Sequence, residues 1–171
     1  ENIYEPKIKF YKKILGKNSF IELGSGIGYF LHAAEKKKIN GTGYETNKTM
    51  VKVGKKRLKK NKLLHCNIDN LKNIIKTSDK ECLVLIGVLE HLENPNEIIR
   101  LFKLSKFKYL FFSLPLYSFS SILENIFPKI YPRQLGGAHT HLYTKDSIKY
   151  LIKKNNFKIL GEWWFGQDFF R

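Results

Sequence analysis

Ser19-Phe20-Ile21-Glu22-Leu23-Gly24-Ser25-Gly26-Ile27-Gly28-Tyr29-Phe30-Leu31, followed by Gly41-Thr42-Gly43-Tyr44-Glu45-Thr46, is the stretch whose reading decides the fold. Residues 19–23 have the apolar character of a buried strand, and the glycines at 24, 26 and 28 then break any regular element. From Tyr29 to Lys38 the positions Phe30, Leu31, Ala33 and Ala34 supply one packing face of a helix, and Gly41 to Glu45 make a second short strand ending in an acid. Strand, tight turn, helix and strand in that order form a β-α-β unit, which requires a parallel sheet.

The same alternation extends outward in both directions. Ile8, Tyr11, Ile14 and Leu15 recur at helical spacing over residues 5–16, and Gly16 stops that helix. Asn47 is placed to cap a helix running to about Lys60, and Leu63 to Cys66 supply a third strand before the loop Asn67-Ile68-Asp69-Asn70. Cys82 to Ile86 form a continuous apolar run, as a strand covered on both faces should; Pro95 opens a helix to about Leu104, and Tyr109 to Leu114 repeat the strand signature. Residues 116–142, rich in aromatics, proline and glycine, break the rhythm and read as a lid or substrate-side insertion. Thr144 caps a last helix to about Lys154, and Phe157 to Trp164 read as a final strand. The expected fold is an α/β, doubly wound, mostly parallel sheet of the seven-stranded type, its last strand incomplete, with helices on both faces. At 171 residues, and with no linker, residues 1–171 are read as one domain.

Composition narrows the setting. No apolar run is long enough to span a bilayer, and the start lacks a secretory leader pattern. Because the first residue is not Met, the native chain is expected to extend beyond one or both ends. Cys66 and Cys82 sit in apolar segments without a CxxC pair, so buried free thiols in the cytoplasm are expected. The formal charge of +16 raises nucleic acid as a partner, but only four of the 31 basic residues are Arg, the side chain suited to bidentate phosphate and base recognition. Lysine is scattered along solvated faces, as in Lys36-Lys37-Lys38, so nucleic acid is not favoured. No oligomeric state follows from the sequence.

In an open α/β sheet, ligands bind beyond the carboxyl ends of the strands. The glycine turn lets backbone approach a ligand, and the following helix offers unpaired N–H groups to a carboxylate such as that of an amino-acid ligand. Glu45, closing the second strand, is placed to accept from both hydroxyls of a ribose. A dinucleotide fingerprint requires a small third residue, and the two possible frames place Tyr29 or Leu31 there, both too large.

Glu22-Leu23-Gly24-Ser25-Gly26-Ile27-Gly28 resembles motif I of the class I S-adenosylmethionine-dependent methyltransferases. Asn67-Ile68-Asp69-Asn70-Leu71 resembles that family's adenine loop, and Gly87-Val88-Leu89-Glu90-His91-Leu92-Glu93-Asn94-Pro95 resembles the segment after its fourth strand. Ala138-His139-Thr140-His141-Leu142-Tyr143-Thr144 resembles the late region of the small-molecule O-methyltransferase branch of the quinone-biosynthesis type. The resemblance implies S-adenosylmethionine as cofactor, with S-adenosylhomocysteine as product. It places Glu22 by the methionine amino group, Gly24, Ser25, Gly26 and Gly28 along the methionine end, and Glu45 with Thr46 at the ribose. Asn67 and Ile68 would hold the adenine, with Gly87 and Val88 completing the cofactor site.

Two positions depart from the family pattern. Asn67 stands where an Asp is frequent, and its carbonyl keeps an acceptor for the adenine amino group with less electrostatic help. Gly87 stands where some quinone methyltransferases carry an acidic metal ligand; Glu90 and His91 alone are too few donors, so no metal is expected. His91, His139 and His141 are the candidate general bases, each alternatively a brace for a turn or lid, and methyl transfer can proceed by positioning without an essential base. The expected function is S-adenosylmethionine-dependent methyl transfer to an oxygen of a small or medium-sized acceptor. Alternatives are a nucleic-acid-modifying or nucleic-acid-binding module and an inactive cofactor-binding partner subunit.

Overall fold

Strand order follows from what each β-α-β unit can bury. The computed structural model describes residues 3–117 and 140–164. Helix α1 (Tyr4–Leu15) precedes β1 (Phe20–Leu23), and α2 (Tyr29–Lys36) leads to β2 (Gly41–Glu45). Then come α3 (Lys48–Lys55), β3 (Lys62–His65), a 3-10 turn at Ile68–Asn70 and α4 (Leu71–Thr77). The series continues with β4 (Cys82–Ile86), a 3-10 turn at Leu89–His91, α5 (Pro95–Lys103), β5 (Tyr109–Ser113) and α6 (Lys145–Lys154). The described strands form one five-stranded sheet in the order β3-β2-β1-β4-β5, every pair parallel. Successive strands step outward from β1 to β3, and β4 returns to the other side of β1. The doubly wound parallel reading therefore holds, and the reversal of strand order lies between β1 and β4.

The chain divides into two compact units, Glu1–Val88 with Asn94–Ser113, and Leu89–Glu93 with Leu114–Arg171. The first contains the sheet. Side chains alternate across β1, so Phe20 and Glu22 share one face. There Phe20 meets Tyr11 of α1 and Phe30 of α2 at ring-centroid distances of 5.6 and 5.4 Å, and Phe111 of β5 closes on Tyr11 at 5.3 Å. Phe20 and Phe30 are fully buried, each contributing about 1.5–3 kcal/mol. Glu35 fastens the chain that returns to β3, its carboxylate accepting the N–H groups of Lys59, Lys60 and Asn61. That tether is one reason α3 stops at Lys55 and does not reach Lys60. In the second unit Thr144 and Ser147 form a reciprocal capping box at the start of α6.

Two expectations are corrected. Residues 157–164 form no strand with the described residues: none of these pairs with them, and Ile159 and Leu160 are both exposed, where an alternating strand would bury one. The described sheet thus has five strands and not seven. Residues 71–77, which the sequence reading leaves unassigned beyond the loop at 67–70, are helix α4; Leu71, Ile74 and Ile75 have the helical spacing, and Ile75 is fully buried. The lid assigned to residues 116–142 falls mostly outside the described residues. Cys66 and Cys82 are buried free thiols, and burial pushes Cys82 up to about 12. Among the described residues no helix is long and apolar enough to cross a membrane.

Candidate functional site

The glycine turn is fastened to the end of β2 before any ligand is considered. Gly24 and Ser25 both donate their N–H to the Tyr44 carbonyl, at 2.9 and 3.2 Å, and the Gly28 N–H donates to Ser25 O at 2.9 Å. The Gly26 N–H donates to Glu45 Oε2 at 2.8 Å, while Glu45 Oε1 accepts from the Asn47 N–H at 2.8 Å and the Thr46 hydroxyl at 3.3 Å. Glu45 therefore ties the loop after β1 to the loop after β2 with a buried carboxylate. Gly26 has φ +54°, and a Cβ there would meet nothing within 4 Å, so the turn opens onto free space at that residue.

A second set of residues, absent from the sequence reading, holds the turn from behind. Arg57 donates to the Ile27 carbonyl at 3.0 Å and lays its guanidinium 4.3 Å from the Tyr29 ring centroid. Gly54 lets α3 press against the turn: a Cβ there would lie 2.5 Å from Leu63 Cδ2 and 2.7 Å from Ile27 O. The available signal was a glycine inside an otherwise helical pattern, which costs helix stability and so marks close packing.

Glu22 lies below the turn on β1, only 3% exposed, and its Oε2 has no hydrogen-bond partner. Burial pushes its carboxyl up to about 8; a hydrogen bond from Ser25 opposes this and the nearby Glu45 charge adds to it. Glu22 is thus largely protonated at neutral pH. Its orphaned oxygen costs about 1–3 kcal/mol, which a bound donor would recover.

The remaining cofactor candidates lie along the same strand ends. Thr46 is exposed directly after β2, and its carbonyl lies 3.1 Å from His65 Nε2. Cys66 donates its N–H to Glu45 O at 3.0 Å, which sets Asn67 and Ile68 immediately beyond β3. Ile68 is 73% exposed, an apolar surface available to a flat ring. Gly87 follows β4 and donates its N–H to Ser113 O at 2.8 Å. Val88 reaches back to β1, for a Cβ on Gly24 would stand 2.8 Å from Val88 Cγ2. Glu22, Gly24, Ser25, Gly26, Gly28, Glu45, Thr46, Asn67, Ile68, Gly87 and Val88 all belong to the first unit, at the carboxyl end of its sheet.

In the second unit, Thr140 and His141 donate their N–H groups to Glu90 O at 2.9 and 3.1 Å, and the Thr140 hydroxyl adds a bond to the same carbonyl at 2.9 Å. His141 Nε2 lies 3.3 Å from Glu93 O, so this ring braces the turn that contains His91. His91 is exposed, and His139 lies outside the described residues. Glu90 is 2% exposed, with Oε2 unpartnered.

Compared with known families, residues 3–162 match the family described as methyltransferase domain. No curated protein matches the chain. Among solved structures, the chain is similar to a SAM-dependent methyltransferase from Archaeoglobus fulgidus, at 19% identity and TM-score 0.63, covering 92% of this chain and 69% of that one. It is similar to a SAM-dependent methyltransferase, a possible histamine N-methyltransferase, from Thermotoga maritima, at 18% identity and TM-score 0.65, covering 91% and 72%. It is also similar to magnesium protoporphyrin IX methyltransferase from Synechocystis, solved with bound SAH, at 11% identity and TM-score 0.68, covering 90% and 71%. At these identities the likeness is one of fold.

Proposed function

This chain belongs to the methyltransferase-domain family, and from that premise we propose that it transfers the methyl group of S-adenosylmethionine to an oxygen of a small or medium-sized acceptor. The observation that carries the cofactor assignment is the turn itself: it opens at Gly26, is bounded by the Glu45 carboxylate, and has below it a buried Glu22 with one oxygen unpartnered. These residues fit the group. When bound, it supplies a sulfonium methyl open to in-line displacement.

The chain's own residues divide the work. Glu45 has about four acceptor positions, of which Gly26, Asn47 and Thr46 use three; the longest of these, from Thr46, is the bond a ribose hydroxyl would replace. Glu22 receives the cationic end of the amino-acid moiety, Ile68 covers the adenine and Asn67 accepts from its amino group. Val88 and Gly87 line the wall beside Gly24. The late region that resembles small-molecule O-methyltransferases supports the oxygen acceptor, with His91, His139 or His141 taking its proton. Since His141 Nε2 faces a carbonyl, as a donor would, Nδ1 is the nitrogen that would take a proton in that role. In this reading residues 1–171 act as one methyltransferase domain with 116–142 on the acceptor side, and the buried unpaired thiols fit the cytoplasm.

Titration calorimetry with S-adenosylhomocysteine tests the assignment. Binding by wild type, weakened about tenfold or more in Glu45→Gln through loss of a charged hydrogen-bond acceptor, is the expected result. Absence of binding to folded wild-type protein would overturn it. Radiolabelled methyl transfer to panels of phenols and of amines then distinguishes an oxygen acceptor from a nitrogen one.

A further inference from the structure

Helix α1 carries a tyrosine, Tyr4, that lies outside the glycine motif. Tyr4, Ile8 and Tyr11 stand at i, i+4 and i+7, on one face of α1, and Tyr4 packs against the buried cluster that contains the other two. Tyr11 meets Phe20 of β1. One alternation farther along that strand, about 7 Å on the same face, is Glu22. Two turns back along α1, about 10 Å, is Tyr4. Tyr4 stacks on Tyr29, the first residue of α2, with centroids 5.7 Å apart and planes inclined by 24°. Tyr29 in turn carries the Arg57 guanidinium that holds the Ile27 carbonyl of the glycine turn. Tyr4 is thereby connected, through Tyr29 and Arg57, to the glycine turn.

We propose that Tyr4 belongs to the cofactor site, its phenol oxygen and the orphaned Glu22 carboxyl together receiving the ammonium group of the cofactor's amino-acid end. The assignment rests on the S-adenosylmethionine reading above. An ammonium brings three donors, and Glu22 Oε2 lacks a donor. Burial, with the Glu22 charge as the second cause, raises the Tyr4 phenol above its ordinary value, which keeps it a neutral hydroxyl within electrostatic reach of that carboxylate. As the ammonium arrives, Glu22 gives up its proton to solvent and the phenol oxygen accepts the next N–H.

The test measures binding of S-adenosylhomocysteine and of 5′-methylthioadenosine, which lacks the amino-acid end, to wild type and Tyr4→Phe. The phenylalanine keeps the stacked ring and removes only the hydroxyl. Expected is a loss of about tenfold in S-adenosylhomocysteine affinity, the size of one hydrogen bond to a charged group, with 5′-methylthioadenosine affinity within about twofold of wild type. Unchanged affinity for the first ligand, or equal losses for both, overturns the role of Tyr4 while leaving the cofactor reading standing. Failure of wild type to bind S-adenosylhomocysteine overturns both.

Discussion

Replacing Glu22 by Gln should make the protein's stability less sensitive to pH. In the folded chain the Glu22 carboxyl is pushed from an ordinary 4.5 up to about 8, mainly by burial. A raised folded-state value means that the contribution is fully present below about pH 4.5 and is lost as pH rises through about 8, because the unfolded chain releases its proton first. The interval is about 3.5 pH units, and at about 1.36 kcal/mol per unit the upper bound is close to 5 kcal/mol. Relaxation and water penetration around a newly charged buried group lower the effective penalty to a few kcal/mol, so about 2–3 kcal/mol is expected. Gln is nearly isosteric and does not titrate. Urea unfolding of wild type and Glu22→Gln at about pH 5, 6.5 and 8 isolates the effect, since titrating groups not coupled to Glu22 cancel in the difference. The variant should gain on wild type by about 2–3 kcal/mol between the lowest and highest pH. A gap that stays constant across the range would show that Glu22 ionises normally in the folded chain, and the argument for a proton-holding acid beneath the glycine turn would fail.

Other substitutions test neighbouring parts of the same construction. Gly26→Ala places a Cβ in open space at φ +54°, so the backbone cost is about 1–2 kcal/mol, seen as a small fall in Tm, whereas S-adenosylhomocysteine affinity should drop tenfold or more if that space belongs to the ligand. Gly54→Ala gains about 1 kcal/mol of helix propensity but meets Ile27 O at 2.7 Å; a net loss of about 1–2 kcal/mol in urea unfolding is expected, with weaker cofactor-product binding as the turn shifts. Against a rise from burial, the amides of Lys60, Asn61 and Lys59 hold the Glu35 carboxyl below its ordinary range. Its contribution is therefore present above about pH 4.5 and lost on acidification, and Glu35→Gln should cost about 1 kcal/mol at neutral pH, a difference that closes as pH falls below about 4. A penalty that persists in acid would rule out the carboxylate as its source.

Local information was enough for the framework, and the family resemblance supplied the candidate cofactor residues. Apolar runs of strand length, the glycines at 24, 26 and 28 and the acid at 45 impose a parallel β-α-β unit because each constraint acts within a few residues of its cause. The loop after β3 and the residues after β4 became candidates through the family resemblance, and both follow strand ends, where ligands in such sheets bind. Other features came from packing between distant segments. That Glu45 spends its oxygens on Gly26, Asn47 and Thr46, and that Glu22 keeps one oxygen without a partner, depends on which groups the fold brings within 3 Å. The same holds for Arg57 and Gly54 behind the turn, and for Tyr4 stacked on Tyr29. A strand at 157–164 was suggested by its residue types, but a strand exists only when a neighbour accepts its hydrogen bonds; none among the described residues does, and no local pattern encodes that neighbour. Periodicity and turn chemistry thus determined the sheet and the position of its glycine turn, while hydrogen-bond distance and burial, which exist only once the chain has closed on itself, decided the protonation of Glu22 and the company it keeps.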